Sequence, residues 1–277
     1  MFPWGQPLIN FQPWHCIELD LGNHYMPRNC SAHDYSALIR KWRALSTKTV
    51  LRVREMSTPE PLPFFEVTND LLSREKPFLY ISAGIHGDEP APCWALLEWV
   101  EENHSLLQNF PILFYPCLNP WGFVHNSRLD ENGEDLNRIW GNVFHPLTEQ
   151  ILKRIEGLSF FLSLNLHEDF DANGIYIYEP YRGGRTDRWT NQILQAGKKF
   201  LTLDTRKRID GKNAKNGIIR PRVTHPPKEG IPEALYLFQN HGTRNFTIET
   251  PSEASLEERI LSHKAMIKES VRLSTRT

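Results

Sequence analysis

Two periodicities alternate along the chain. Runs in which apolar residues are continuous, or recur at every second position, predict strands at LRVREM (51 to 56), FFEVT (64 to 68), FLYISAGI (78 to 85), ILFYPCL (112 to 118), FFLSLNL (160 to 166), IYIY (175 to 178), LYLF (235 to 238) and NFTIE (245 to 249). Between them, apolar positions recur at helical spacing near 33 to 45, 90 to 103, 147 to 157, 186 to 200 and 255 to 271. In the last of these Leu256, Ile260, Ile267 and Val271 form the apolar set, and Ser255 and Glu258 have the spacing of a capping box. Near-continuous apolar runs such as FLYISAGI suit central strands covered on both faces, so the pattern predicts an α/β layered sheet. In such sheets, sites gather where strands end.

A length of 277 residues with 40% hydrophobic and 11% aromatic content is enough to bury a full core. The turn-rich stretches at 56 to 63 and 221 to 232 are short and no repeat is present, so one domain is expected over 1 to 277, with 1 to 50 as an N-terminal extension and first helix packed on it. Thirty-two basic against thirty-three acidic residues give a formal charge of -1, which supplies no global field for nucleic acid or an anionic membrane. The opening MFPWGQPLINFQPWH lacks a basic segment followed by an apolar one, and no window approaches the run of about 18 apolar residues that a span needs. A soluble, cytoplasmic protein is expected. Cys16, Cys30, Cys93 and Cys117 form no CxxC pair and are expected to be buried free thiols.

The stretch AGIHGDEPAP (83 to 92) places His86 and Glu89 three apart at the end of a strand-like run. Gly87 suits a sharp turn, and Pro90 can occupy a first helical turn without losing a needed donor. An imidazole and a carboxylate are suitable zinc ligands, yet a loop histidine beside a helix N-terminal glutamate explains an isolated HxxE as well. A hydrolytic site needs a third ligand, and His167 in FFLSLNLHEDF ends another strand on the same rim if the two strands run parallel. Glu168 or Asp169 could orient a ligand imidazole, or be solvated loop acids. His15, His24, His125 and His225 lack comparable surroundings. Between the two ligand stretches, residues 119 to 140 carry Arg128, Asn137 and Arg138, suited either to an oxyanion and a substrate carboxylate or to salt bridges with Asp130, Glu131 or Asp135. Glu249 ends the run NFTIE, where a carboxylate could shuttle a proton.

In order, HGDE (86 to 89), NPWGF with Arg128, DLNR (135 to 138), LNLHED and TIETP resemble the zinc carboxypeptidase family. The resemblance spans residues 78 to 251 and implies a three-layer α/β/α fold around a mixed, mostly parallel eight-stranded sheet. It further implies one zinc ion per chain held by His86, Glu89 and His167, which polarises a scissile carbonyl and activates a water. Glu249 would be general base and then acid, Arg128 would stabilise the oxyanion, and Asn137 with Arg138 would hold the free carboxylate of a small peptide or acyl-amino-acid substrate. The digestive members' tyrosine has no assigned counterpart here: Tyr236 precedes Glu249 without a surrounding motif, and the usual DLNRNF reads DLNRIW.

Three kinds of relative fit the set: carboxypeptidases, murein-peptide amidases, and N-acyl amino acid deacylases of the succinylglutamate desuccinylase and aspartoacylase branch. The deacylases carry a further β-rich domain after the catalytic glutamate, whereas the 28 residues after Glu249 read as one helix, so a peptidase or amidase is expected. A non-catalytic binder of peptide C-termini has no need of Glu249 or Arg128. The stretch 204 to 222 holds seven basic and two acidic residues and reads either as a solvated loop or as an electropositive wall near the site, without the aromatics that RNA binding asks for. The first thirty residues, rich in aromatics and proline, suit a lid or a dimer contact.

Overall fold

The computed structural model describes residues 32–56, 62–71, 76–141, 145–181, 188–223, 230–242 and 244–275. The first thirty residues, Cys16, Cys30, His15, His24 and His225 lie outside the described residues. Ten strands form the described sheet: β1 (Arg52–Met56), β2 (Phe64–Thr68), β3 (Phe78–Ser82), β4 (Ile112–Tyr115), β5 (Phe160–Asp169), β6 (Tyr176–Tyr178), β7 (Arg208–Ile209), β8 (Lys212–Lys215), β9 (Ile218–Ile219) and β10 (Asn245–Pro251). Their order is β1-β2-β4-β3-β5-β10-β6-β9-β8-β7.

The sheet is mixed, as expected, but has ten strands rather than eight, and parallel pairing does not dominate its edges. The central pairs β4-β3, β3-β5 and β5-β10 are parallel, as is β6-β9, while the flanking pairs are antiparallel. The extra strands are β7, β8 and β9, short pieces within the basic stretch whose alternation is too brief to register as a strand pattern.

Among the described residues seven α-helices cover the two faces: α1 (Tyr35–Ser46), α2 (Pro90–Asn103), α3 (Pro120–His125), α4 (Pro146–Ile155), α5 (Trp189–Gly197), α6 (Glu233–Asn240) and α7 (Leu256–Ser274). Alternate residues of β3 serve the two layers. Leu79 and Ile81 pack with residues of α1, α2, α5 and α7, whereas Phe78 and Tyr80 pack with Leu147, Ile151 and Leu237 of α4 and α6. This is a three-layer α/β/α arrangement. α7 starts with the capping box, Ser255 and Glu258 each serving the other's backbone N–H.

One strand expectation is overturned. LYLF lies in α6, because Glu233, Leu237 and Phe238, spaced i, i+4 and i+5, are its buried residues. A four-residue apolar run satisfies both periods, and here the Pro232–Glu233 start decides for a helix.

Candidate metal centre and active-site cleft

The β3 strand ends at Ser82, and the chain then turns through His86 to α2. Gly87 is required there by close approach: a Cβ on it would lie 1.9 Å from the carbonyl carbon of Gly122 in α3. Glu89 is the N-cap of α2, with Pro90 in the first turn, yet its side chain makes no capping bond. Instead its Oε1 lies 2.6 Å from His86 Nδ1 and its Oε2 3.0 Å from His167 Nδ1. The helix N-terminus is served from β5, where Glu168 accepts from the Ala91 N–H at 2.7 Å. His86, Glu89 and His167 are 3%, 4% and 3% exposed, and one ligand atom from each lies within 4.8 Å of the others.

His86 is oriented from its far side. Its Nε2 lies 3.2 Å from Asp135 Oδ1, which leaves Nδ1 to face Glu89. Burial pushes the His86 pKa down, but the Glu89 charge and the bonds from Asp135 and Glu89 outweigh it and raise it to about 9. Glu89, although buried, is held below the usual carboxylate range by His86 and His167. Two imidazole nitrogens aimed at one buried carboxylate, with a carboxylate behind the first imidazole, fit a zinc ion in residue type and convergence.

Arg128 donates to Asp135 Oδ2 from Nε (3.2 Å) and Nη2 (3.0 Å), and its Nη1 is 3.8 Å from Glu89 Oε1. Asp135 also begins the short 3₁₀ turn Leu136–Arg138, accepting the Asn137 N–H at 2.9 Å. Glu249 stands in parallel register with His167 across β10 and β5. Its Oε2 is buried without a hydrogen-bond partner among the described residues, and burial pushes its pKa well up. All of these side chains except Asp135 line one cleft of about 760 Å³.

A family model of the succinylglutamate desuccinylase/aspartoacylase catalytic domain matches residues 75–170. Cytosolic carboxypeptidase 1 of Gallus gallus is 31% identical over 98 residues, covering 32% of this chain and 8% of that protein. Carboxypeptidase SOL1 of Arabidopsis thaliana is 29% identical over 116 residues, covering 35% of this chain and 23% of that protein. The matches thus span a small part of these relatives' length. Among solved structures, a metallopeptidase candidate from Shewanella denitrificans OS217 superposes with a TM-score of 0.79 at 19% identity, covering 89% of this chain and 92% of that one. A metallo-carboxypeptidase from Burkholderia cenocepacia gives 0.67 at 15% identity over 87% and 69% of the two chains. The chain is thus similar in sequence, over part of its length, to the succinylglutamate desuccinylase/aspartoacylase catalytic domain and to carboxypeptidases, and it shares the fold of the solved carboxypeptidase-like structures.

Within this carboxypeptidase-like fold, the seven residues singled out from the sequence are brought to one cleft. The carboxylate that orients His86 is Asp135, not Glu168 or Asp169: Glu168 pairs with Arg259 and Asp169 accepts the Tyr176 hydroxyl at 2.8 Å. Tyr176 and Tyr178 also line the cleft, a position that the IYIY alternation could have signalled, since residues two apart share a face. Tyr236 packs on the rings of Trp140 and His241 instead. The basic stretch supplies Arg206, Arg208, Lys212 and Arg222 to the cleft wall, with Arg206 paired to buried Asp204 and Lys212 to Asp210. Cys93 and Cys117 are buried free thiols.

A second group, Asp130, Glu134 and His145, also gathers potential ligand atoms. His145 Nδ1 accepts the Leu147 N–H at 3.2 Å, so the ring proton sits on Nε2, 3.2 Å from Asp130 Oδ2. Neither nitrogen offers a lone pair to an ion, and the group ties the loop before Asp135 to α4.

Proposed function

We propose that the chain is a zinc-dependent metallopeptidase, a carboxypeptidase or peptide amidase that hydrolyses an amide bond next to a free carboxylate. The observation that carries this reading is the convergence of His86, Glu89 and His167 on one cleft with Glu249, Arg128, Asn137 and Arg138. A zinc ion held by the three ligands supplies Lewis acidity toward a carbonyl oxygen and lowers the pKa of water. Glu249, with one carboxylate oxygen unpaired, takes the proton of the attacking water and passes it to the leaving amine. Its ionised form is favoured by a cation at the neighbouring ligands, against the effect of burial.

Arg128, beside Glu89 and 43% exposed, is the donor for the oxyanion. Asn137 and Arg138 hold the substrate carboxylate. The Asn137 Oδ1 is already taken by the Glu233 N–H at 2.9 Å, which leaves its two amide hydrogens as the donors for a ligand. The similarity to cytosolic carboxypeptidase 1 supports a cytoplasmic enzyme. Among the described residues no helix is long and apolar enough to cross a membrane.

The second reading is an N-acyl amino acid deacylase, favoured by the family model over 75–170. Both readings use the same residues, so substrate decides between them. Zinc-loaded protein and its Glu249→Gln variant should be compared on dipeptides, γ-D-glutamyl-diaminopimelate peptides and N-acyl amino acids. Glu249-dependent cleavage of either peptide class is expected. Cleavage confined to N-acyl amino acids selects the deacylase, and binding without any turnover returns the chain to a non-catalytic binder.

A further inference from the structure

A buried polar ladder runs beneath the cleft, and no step of the proposed reaction uses it. Tyr80 and Ser82 of β3, Ser163 and Asn165 of β5 and Asn245 of β10 are joined across three parallel strands. Ser82 Oγ receives Asn165 Nδ2 at 3.0 Å, and Asn245 Nδ2 reaches both Asn165 Oδ1 at 2.9 Å and Ser163 Oγ at 2.8 Å. The two-residue period puts His167 on the face of Ser163 and Asn165, and Glu249 on that of Asn245. The ladder ends at Glu233, the first residue of α6, whose side chain accepts the Tyr80 hydroxyl and, at 2.9 Å, the Ser82 hydroxyl.

Glu233 is wholly buried, and its own N–H donates to Asn137 Oδ1 at 2.9 Å. One residue is therefore bonded at one end to the strand that leads to His86 and at the other to Asn137. The backbone around it is equally close. Gly230, at φ +103°, would place a Cβ 1.9 Å from the Arg138 carbonyl oxygen, and the Trp140 N–H donates to the Ile231 carbonyl at 3.1 Å. Two hydroxyl donors arriving together need two acceptors, which a carboxylate provides and an amide does not. A buried carboxylate is otherwise costly, and an apolar side chain could fill the space without linking the two elements.

We propose that Glu233 is a positioning residue that sets the separation between the Asn137 and Arg138 carboxylate clamp and the metal centre. The inference rests on the reading of those two residues as the clamp. Binding is measured by calorimetry in the zinc-loaded Glu249→Gln protein, with an N-acyl amino acid and its C-terminal amide as paired probes. Adding Glu233→Gln is expected to weaken the acid by ~10-fold while leaving the amide and the zinc content unchanged. Tyr80→Phe, which removes one of the two donors, should shift the acid in the same direction by less. In Glu233→Gln the amides of Arg138 and Trp140 should exchange faster while those of residues 78 to 82 stay protected.

Unaltered acid binding and unaltered exchange in both variants would overturn the proposal. Equal weakening of acid and amide, or loss of zinc, would also overturn it, because Glu233 would then be only an element of the fold. If the starting protein binds acid and amide alike, the clamp reading fails on its own. The exchange measurement then still decides whether Glu233 holds the Asn137 turn, faster exchange supporting it and unchanged exchange refuting it.

Discussion

Replacing Asp135 should perturb the proposed metal centre without removing one of its proposed ligands. Its Oδ1 receives His86 Nε2 at 3.2 Å and the Asn137 N–H at 2.9 Å, and its Oδ2 receives two bonds from Arg128 at 3.0 and 3.2 Å. Burial pushes its pKa up, but the bond and charge of His86 and the charges of Arg128 and Arg138 hold it below the usual carboxylate range, so it is an anion at any practical assay pH. Asparagine keeps one oxygen for His86 and turns a donor toward a guanidinium that has only donors, while alanine removes all four bonds. Partners that orient a ligand imidazole are worth about 10- to 100-fold in metal affinity, or about 1.4 to 2.7 kcal/mol. Asp135→Asn should therefore weaken zinc by about 10-fold and Asp135→Ala by nearer 100-fold. A competition titration against a chromophoric chelator reads both. An alanine variant that is folded and binds zinc as the wild type does would refute the reasoning, since His86 would then need no partner to present Nδ1.

Glu249→Gln should retain zinc by mass spectrometry and lose between about 10² and 10⁴ in kcat; wild-type turnover would remove Glu249 from the role of base. Gly87→Ala forces a Cβ to 1.9 Å from backbone of Gly122. It should cost about 3 kcal/mol, read as a lowered denaturant midpoint, and an unchanged midpoint would show that the two turns separate freely. Burial lowers the pKa of His241, whose Nδ1–H donates to the Leu158 carbonyl at 2.9 Å. The unfolded chain binds the proton more readily, so its contribution is complete above about pH 6.5 and is lost as the pH falls from there toward the depressed folded value, at no more than about 1.4 kcal/mol per unit. Urea midpoints at about pH 7.5 and about pH 5.5 should differ less in His241→Gln than in the wild type, and equal differences would refute it.

Local pattern reports what is local: which face of a segment is buried, where a helix is capped, and which ligand types stand at a strand end. On those grounds α2 was readable near 90 to 103 and the α7 capping box was visible, whereas His86, Glu89, His167, Glu249, Arg128, Asn137 and Arg138 were each open to a structural reading and were drawn together only by the ordered family resemblance. The run LYLF failed because four apolar residues carry no period of their own, and β7, β8 and β9 were too short to show one.

Tertiary structure alone decided the partners. Parallel registry of β10 with β5 sets Glu249 opposite His167 across a long stretch of chain, and no spacing along the sequence encodes that registry. Asp135 was indistinguishable from Asp130 or Glu131 as a salt-bridge acid until folding set its Oδ1 against His86. Glu233 was one acid just ahead of an apparent strand. Its meaning arises because α6 delivers it beneath β3, where two hydroxyls require a double acceptor.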